Sequence, residues 1–364
     1  MPVLIALLLL SSACAAAPLD AAATPLESAT DDVLIVLAKS GHQALFVDPA
    51  SGETLATVPT GKGPHEVAVR SDGRLAVVAD YGTNEGGGFV PGNTLTVIDT
   101  VTREVVRTLD LGEHSNPHGV QFLPDDRRVA VTTENSRSLL VVDVETGELV
   151  QVLGTEAAAS HMVVLSPDGT RAFVANIAGG SVSAFDLDKG ELLGVIETGA
   201  GCEGIDITPD GKSVWATNRA AGTISILDAR SLRVMGELSA PGFPIRVKIT
   251  PDGSKAVVSC ATSAIVRVFD VGTRQELAAV AMDLDVVDDA GERLFGASMQ
   301  GSTAPVGVLI APDGATAWIA ATNGDVVVAL DLETLELSGG FPAGPEPDGL
   351  GFARIPRAEP ADEG

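Results

Sequence analysis

Between Ser160 and Gly211 the chain writes out one unit of four short strand-like runs and then begins the same unit again. Residues 161–165 alternate into a turn at Ser166, Pro167, Asp168 and Gly169, residues 172–176 are apolar, residues 181–185 alternate up to Asp186, and residues 192–196 follow a turn at Asp188, Lys189 and Gly190. Each run has strand length, and each gap carries residues that favour fixed or positive φ. At Glu203 the pattern restarts, 42 residues after His161. Four strands repeated at this period specify a propeller blade.

The unit occurs seven times. Inner strands start at His65, His118, His161, Glu203, Ile245, Val306 and Asp348, separated by 53, 43, 42, 42, 61 and 42 residues. The turn after the first strand recurs at Ser71, Pro124, Pro167, Pro209, Pro251 and Pro312. An aspartate closes every third strand, at Asp48, Asp99, Asp143, Asp186, Asp228, Asp270 and Asp331. Such a side chain accepts backbone N–H groups of the next turn, so the seven read as structural. Residues 33–37, 44–47 and 54–58 supply three strands with no first strand before them, and residues 348–353 supply a first strand with none after it. Joined, they complete the seventh blade. The expected fold is an all-β, seven-bladed β-propeller with four-stranded blades, closed by N-terminal strands plus a C-terminal strand, which leaves no open array edge.

A chain of 364 residues suggests two domains by length, but the repetition makes residues 32–355 one ring. Residues 1–13 read as a signal peptide, and Leu10 to Cys14 resembles a bacterial lipobox, which predicts export and a lipid anchor at Cys14; ordinary cleavage after Ala15 or Ala17 is the alternative. Residues 14–31 read as a flexible tether and 356–364 as a disordered tail. Localisation is then periplasmic or cell-surface. A net charge of −26 excludes nucleic-acid binding, which needs clustered Lys and Arg, and leaves a membrane contact only through the anchor. Cys202 and Cys260 are either a disulfide or two buried thiols.

The first strand of a blade lines the central axis, so its starting residue and the end of the second strand open on one mouth. His65, His118, His161, Glu203 and Asp348 then form an arc, interrupted by Ile245 and Val306. Only five histidines exist, and three take the same place in successive repeats. Imidazoles and a carboxylate suit a divalent transition metal, so His65, His118, His161 and Glu203 are candidate ligands for Zn, Cu, Fe or Ni. Against this, simple alternation puts His65 on the face of Val67 and Val69, which pack between blades. Glu134 and Arg246 are candidate catalytic residues, as a base and a carboxylate clamp; Tyr81, Arg219 and Asp348 are candidate ligand contacts. Two insertions break the period at this mouth: a Gly-rich flap at residues 86–92 and an acidic link over 283–303.

The strand ends DYGTN, VANIAGGSVSAFD and WATNRAAGTISILD, with their PDG turns, resemble the YVTN β-propeller repeats of YncE-like exported bacterial proteins, over about residues 33–354. The resemblance implies an exported propeller. Some relatives are lactonases or metal-bearing redox propellers, and the lactonase-like ones use His, Glu and Arg in the funnel, as His118, Glu134 and Arg246 do in type. Three functions follow: a module that binds a metal or small ligand in its funnel; a metal-assisted lyase or lactonase-like hydrolase acting on a small carboxylated substrate; or a scaffold for a protein partner. A monomer is expected.

Overall fold

The computed structural model describes residues 30–85, 88–288, 299 and 301–356. The expected signal peptide, Cys14 anchor, tether and tail, Gly86, Gly87 and much of the acidic link lie outside them. The described residues form 28 strands, numbered here in chain order, in seven four-stranded antiparallel sheets. The inner strands are β4 (Pro64–Val69), β8 (Pro117–Phe122), β12 (Ser160–Leu165), β16 (Cys202–Ile207), β20 (Pro244–Ile249), β24 (Pro305–Ile310) and β28 (Pro347–Pro356). Ring closure follows the sequence: β28 pairs with β1 (Thr30–Ala38), which pairs with β2 (Gln43–Val47) and then β3 (Thr54–Pro59). Leu34 lies opposite Phe352 and Val36 opposite Leu350.

Strands in the middle of a blade read as unbroken apolar runs because both faces are covered, each by the neighbouring blade. In the closing blade Val33, Ile35 and Phe46 pack on Val67, Ala76 and Val78 of the next blade. The alternate residues Leu34 and Val36 pack on Trp318, Ala320 and Phe341 of the preceding one. Full burial of side chains of this size is worth roughly 1.5–3 kcal/mol each. The seven aspartates behave as expected. Asp48 Oδ1 accepts the N–H groups of Ala50 and Ser51 at 2.7 and 3.1 Å, and the other six hold one or both of the equivalent groups.

Two local features position the site, and both depart from simple alternation. In each inner strand the pairing register shifts around the residue at the mouth: His65 between Pro64 and Glu66, His118 between Pro117 and Val120, His161 between Ser160 and Val163, Glu203 between Cys202 and Ile205, with the same irregularity in the other three blades. A bulge leaves its residue unpaired and re-aims the side chain, so His65 does not follow Val67 and Val69 into the inter-blade core. A glycine follows the bulged residue in several blades because the next inner strand comes close: a Cβ on Gly119 would lie 2.7 Å from Val163 N, and one on Gly204 would lie 2.6 Å from Ile245 O. The expected Gly-rich flap is instead a hairpin. β5 (Leu75–Glu85) and β6 (Gly88–Asp99) pair outward beyond the blade, Gly82 with Pro91, Thr83 with Val90 and Asn84 with Phe89. Cys202 and Cys260 are buried free thiols.

Candidate functional site

Two repeat positions build the mouth. The first is the bulged residue. The second lies at the mouth end of the blade's second strand, just past it except for Tyr81 within the longer β5, and its N–H is held by the carbonyl of the loop entering the same blade: Lys39 by Glu346, Tyr81 by Gly63, Glu134 by Asn116, Arg219 by Gly201. Seven equivalent hydrogen bonds of this kind fix the second ring of side chains next to the first. Ile245 and Val306 make an apolar sector with Met299 and Ala304, and charged and aromatic groups fill the rest.

His161 lies at the centre. Its Nδ1 hydrogen-bonds to Glu134 Oε1, and its Nε2 stands 3.1 Å from Glu203 Oε1, an ion-pair distance off the hydrogen-bond line. Burial works against a charged imidazole here, but the two carboxylates outweigh it and raise its pKa. Burial would likewise raise Glu134; the attraction of His161, with hydrogen bonds from His161 and from Tyr81 Oη at 2.8 Å, leaves it below the ordinary carboxylate range. Burial, then the charge of Glu134, pushes the Tyr81 hydroxyl up, so it remains a donor. Glu203 receives Arg219 Nη1 at 2.5 Å and has Arg246 Nη1 3.5 Å away. His118 stacks on His161 with centroids 3.5 Å apart, and burial plus that cationic neighbour hold it well below its usual pKa, hence neutral. His65 donates from Nδ1 to Gly63 O at 3.1 Å and is pushed down to about 3 by burial and by Lys39.

Asp348 is held by Lys39, whose Nζ lies 3.2 Å from both Asp348 Oδ2 and Glu346 Oε1. Sequence reasoning missed Lys39, Glu346 and Glu66. Lys39 was discoverable, since it occupies the same repeat position as Tyr81, Glu134 and Arg219. Arg246 departs from its expected role as a clamp open to the mouth: it is 4 % exposed, and its Nη2 and Nε donate to Glu66 Oε1 at 2.7 and 3.2 Å across the axis. Below this pair an axial cavity of ≈ 570 Å³ runs toward the turn face. The guanidinium at the accessible rim is Arg219, with 22 % of its side chain exposed and its fork 5.1 Å over the Phe243 ring.

Two of the four expected metal ligands, His161 and Glu203, are engaged by charged partners within the chain. Both His161 nitrogens face carboxylates, both Glu203 oxygens face cations, and each of the acids Glu66, Glu134, Glu203, Glu346 and Asp348 already lies beside Lys39, Arg219, Arg246 or His161. Among the described residues no group of three or more His, Cys, Asp or Glu is disposed to hold an ion. The three imidazoles converge, with His161 and His65 bonded within the chain and His118 packed against His161. Buried charges survive when paired in this way.

No curated protein matches the chain. Among solved structures, a functionally unknown protein from Desulfotomaculum acetoxidans DSM 771 superposes with a TM-score of 0.71 at 18% identity, covering 90% of this chain and 99% of that one. Hydrazine synthase from Kuenenia stuttgartiensis superposes with a TM-score of 0.63 at 19% identity, covering 82% and 92%. At such identities the likeness is one of fold. A family model matches residues 38–287, well over half of the sequence, and the match includes Lys39, His65, Tyr81, His118, Glu134, His161, Glu203, Arg219 and Arg246. The chain therefore belongs to the family described as Lactonase, 7-bladed beta-propeller.

Proposed function

We propose that the chain is a lactonase-like hydrolase that opens a small carboxylated lactone at the Tyr81–Glu134–His161 cluster. The observation that carries this is Glu134, a carboxylate kept ionised by a buried imidazolium yet still 16 % exposed at the mouth, and linked through His161 and Glu203 to the partly exposed Arg219. Arg219 holds the substrate carboxylate. Glu134 accepts a proton from the attacking water, and His161 with Glu203 behind it stabilises the charge that moves through the network. Water adds to the ring carbonyl, the ring C–O bond breaks, and the alkoxide takes up a proton to give the hydroxy acid. Tyr81, held protonated, is the nearest donor for that step, and the proton that Glu134 took from water returns to Tyr81 along the hydrogen bond between them, which restores both groups. The family assignment supports this reading, since its description names the reaction class.

A divalent ion at His65, His118, His161 and Glu203 is a second reading, favoured by one observation: His118 Nδ1 is buried with no hydrogen-bond partner. Proton release from a panel of carboxylated γ- and δ-lactones tests the first. The expected result is saturable turnover that falls at least about 100-fold in Glu134→Gln while the fold and metal content stay the same. If folded protein neither turns over nor binds any carboxylated lactone, the hydrolase reading fails. Metal analysis of chelator-free protein and of His118→Ala tests the second: metal present in the first and lost in the second would support it.

A further inference from the structure

The β5–β6 hairpin arm is an addition to the blade plan that folding does not require. Its tip carries Phe89 and Val90, 41% and 37% exposed, at a mouth otherwise built of charges and imidazoles. The arm is anchored: Asn116 donates from Nδ2 to Tyr81 O at 2.9 Å and from its N–H to Gly92 O at 2.8 Å, and Lys62 pairs with Glu85. The Phe89 ring lies 5.6 Å from Tyr81, and Tyr81 lies 4.4 Å from His65 and 5.5 Å from His118. An aromatic surface thus runs from solvent to the buried rings, while Tyr81 reaches Glu134 and Arg219 presents a partly exposed guanidinium at this mouth. Exposed aromatic area held on an anchored arm over a polar site is binding surface waiting for an apolar group.

We infer that the arm is the specificity element of the site: Phe89 receives the aryl end of a ligand whose carboxylate is held by Arg219. This rests on the mouth being a small-molecule site, as proposed above, and adds the substrate class, an aryl-bearing carboxylate. Val90 extends the same apolar tip. The acidic net charge of the chain disfavours anions at long range, so selection must come from short-range contact.

Calorimetric titration with 4-phenylbutyrate, butyrate and 4-phenylbutylammonium tests this without relying on turnover. In the wild-type protein phenylbutyrate should bind about tenfold more tightly than butyrate. Phe89→Ala, a change at an exposed position, should bring the two carboxylates within about twofold of each other and leave butyrate unchanged; Phe89→Trp should restore the preference, and Arg219→Gln should weaken both. The inference is overturned if the wild-type protein shows no preference or binds neither carboxylate, if the preference survives Phe89→Ala, or if the ammonium compound binds better than the carboxylate. An intact preference in a protein with no lactone turnover would defeat the hydrolase reading alone. Turnover with no aryl preference would defeat the arm's role alone.

Discussion

Asp80→Asn should stabilise this protein at neutral pH. Asp80 lies within β5, is 0% exposed, and accepts hydrogen bonds from Thr94 Oγ1 and Thr96 Oγ1 at 2.8 and 2.9 Å and from the Gly61 N–H at 3.1 Å. Three blades along, Asn218 takes the equivalent place: Oδ1 accepts the Gly199 N–H at 3.1 Å, and Nδ2 donates to Thr223 Oγ1 and Ser225 Oγ at 3.0 and 2.9 Å. The position thus accommodates an amide with the same three partners, since a hydroxyl rotates to accept as readily as to donate. The carboxylate is the worse occupant. Burial pushes Asp80 up from 3.8 to about 6, against the pull of its three donors.

The sign follows from where each state ionises. Below pH 3.8 the group is protonated in both states and costs nothing; as pH rises from there to about 6 the unfolded chain ionises first, so stability falls. Above that range the native protein carries a penalty of about 3 kcal/mol, from about two pKa units at 1.36 kcal/mol each. Urea unfolding of both proteins between pH 4 and 7.5 checks this. The variant's advantage should approach about 3 kcal/mol at pH 7 and shrink toward zero near pH 4. Acid loss at the turn aspartates, such as Asp228 and Asp331, whose pKa values are lowered by backbone N–H groups, runs the opposite way but is common to both proteins and cancels in the difference. A variant less stable than wild type at pH 7, or a difference that does not change with pH, would refute the reasoning.

Gly204→Ala places a Cβ 2.6 Å from Ile245 O and 2.7 Å from Arg246 Cα, so thermal unfolding should show a loss of roughly 1–3 kcal/mol; no loss would mean the inner strands slide apart easily. Lys39→Met removes the Nζ that stands 3.2 Å from both Glu346 and Asp348 and should cost about 3–5 kcal/mol in urea unfolding; a neutral result would show that the closing blade does not depend on this pair.

The fold was legible because its signals are local and repeated. An aspartate that caps its own turn, as at Asp48 or Asp331, depends on residues two and three positions away, and seven copies fix the blade count and the ring closure together. The mouth residues were legible for the opposite reason: His65, His118, His161, Glu203 and Asp348 break a repeat that has no structural need for them. Their partners were not. Whether an imidazole nitrogen faces an ion or a carboxylate depends on distances between blades, and repeat spacing specifies which residues share a level but not which way each turns. Arg246 shows this, since its place in β20 was read correctly while its fork reaches Glu66, 180 residues away, rather than the mouth. The bulge is the cause. By leaving one residue of each inner strand unpaired it frees those side chains from the alternation that governs the rest of the blade, so their pairing is set by charge: four cations among buried acids arrange themselves so that each carboxylate meets a cation, and His161, held between two acids, takes a proton that the neutral His118 beside it does not.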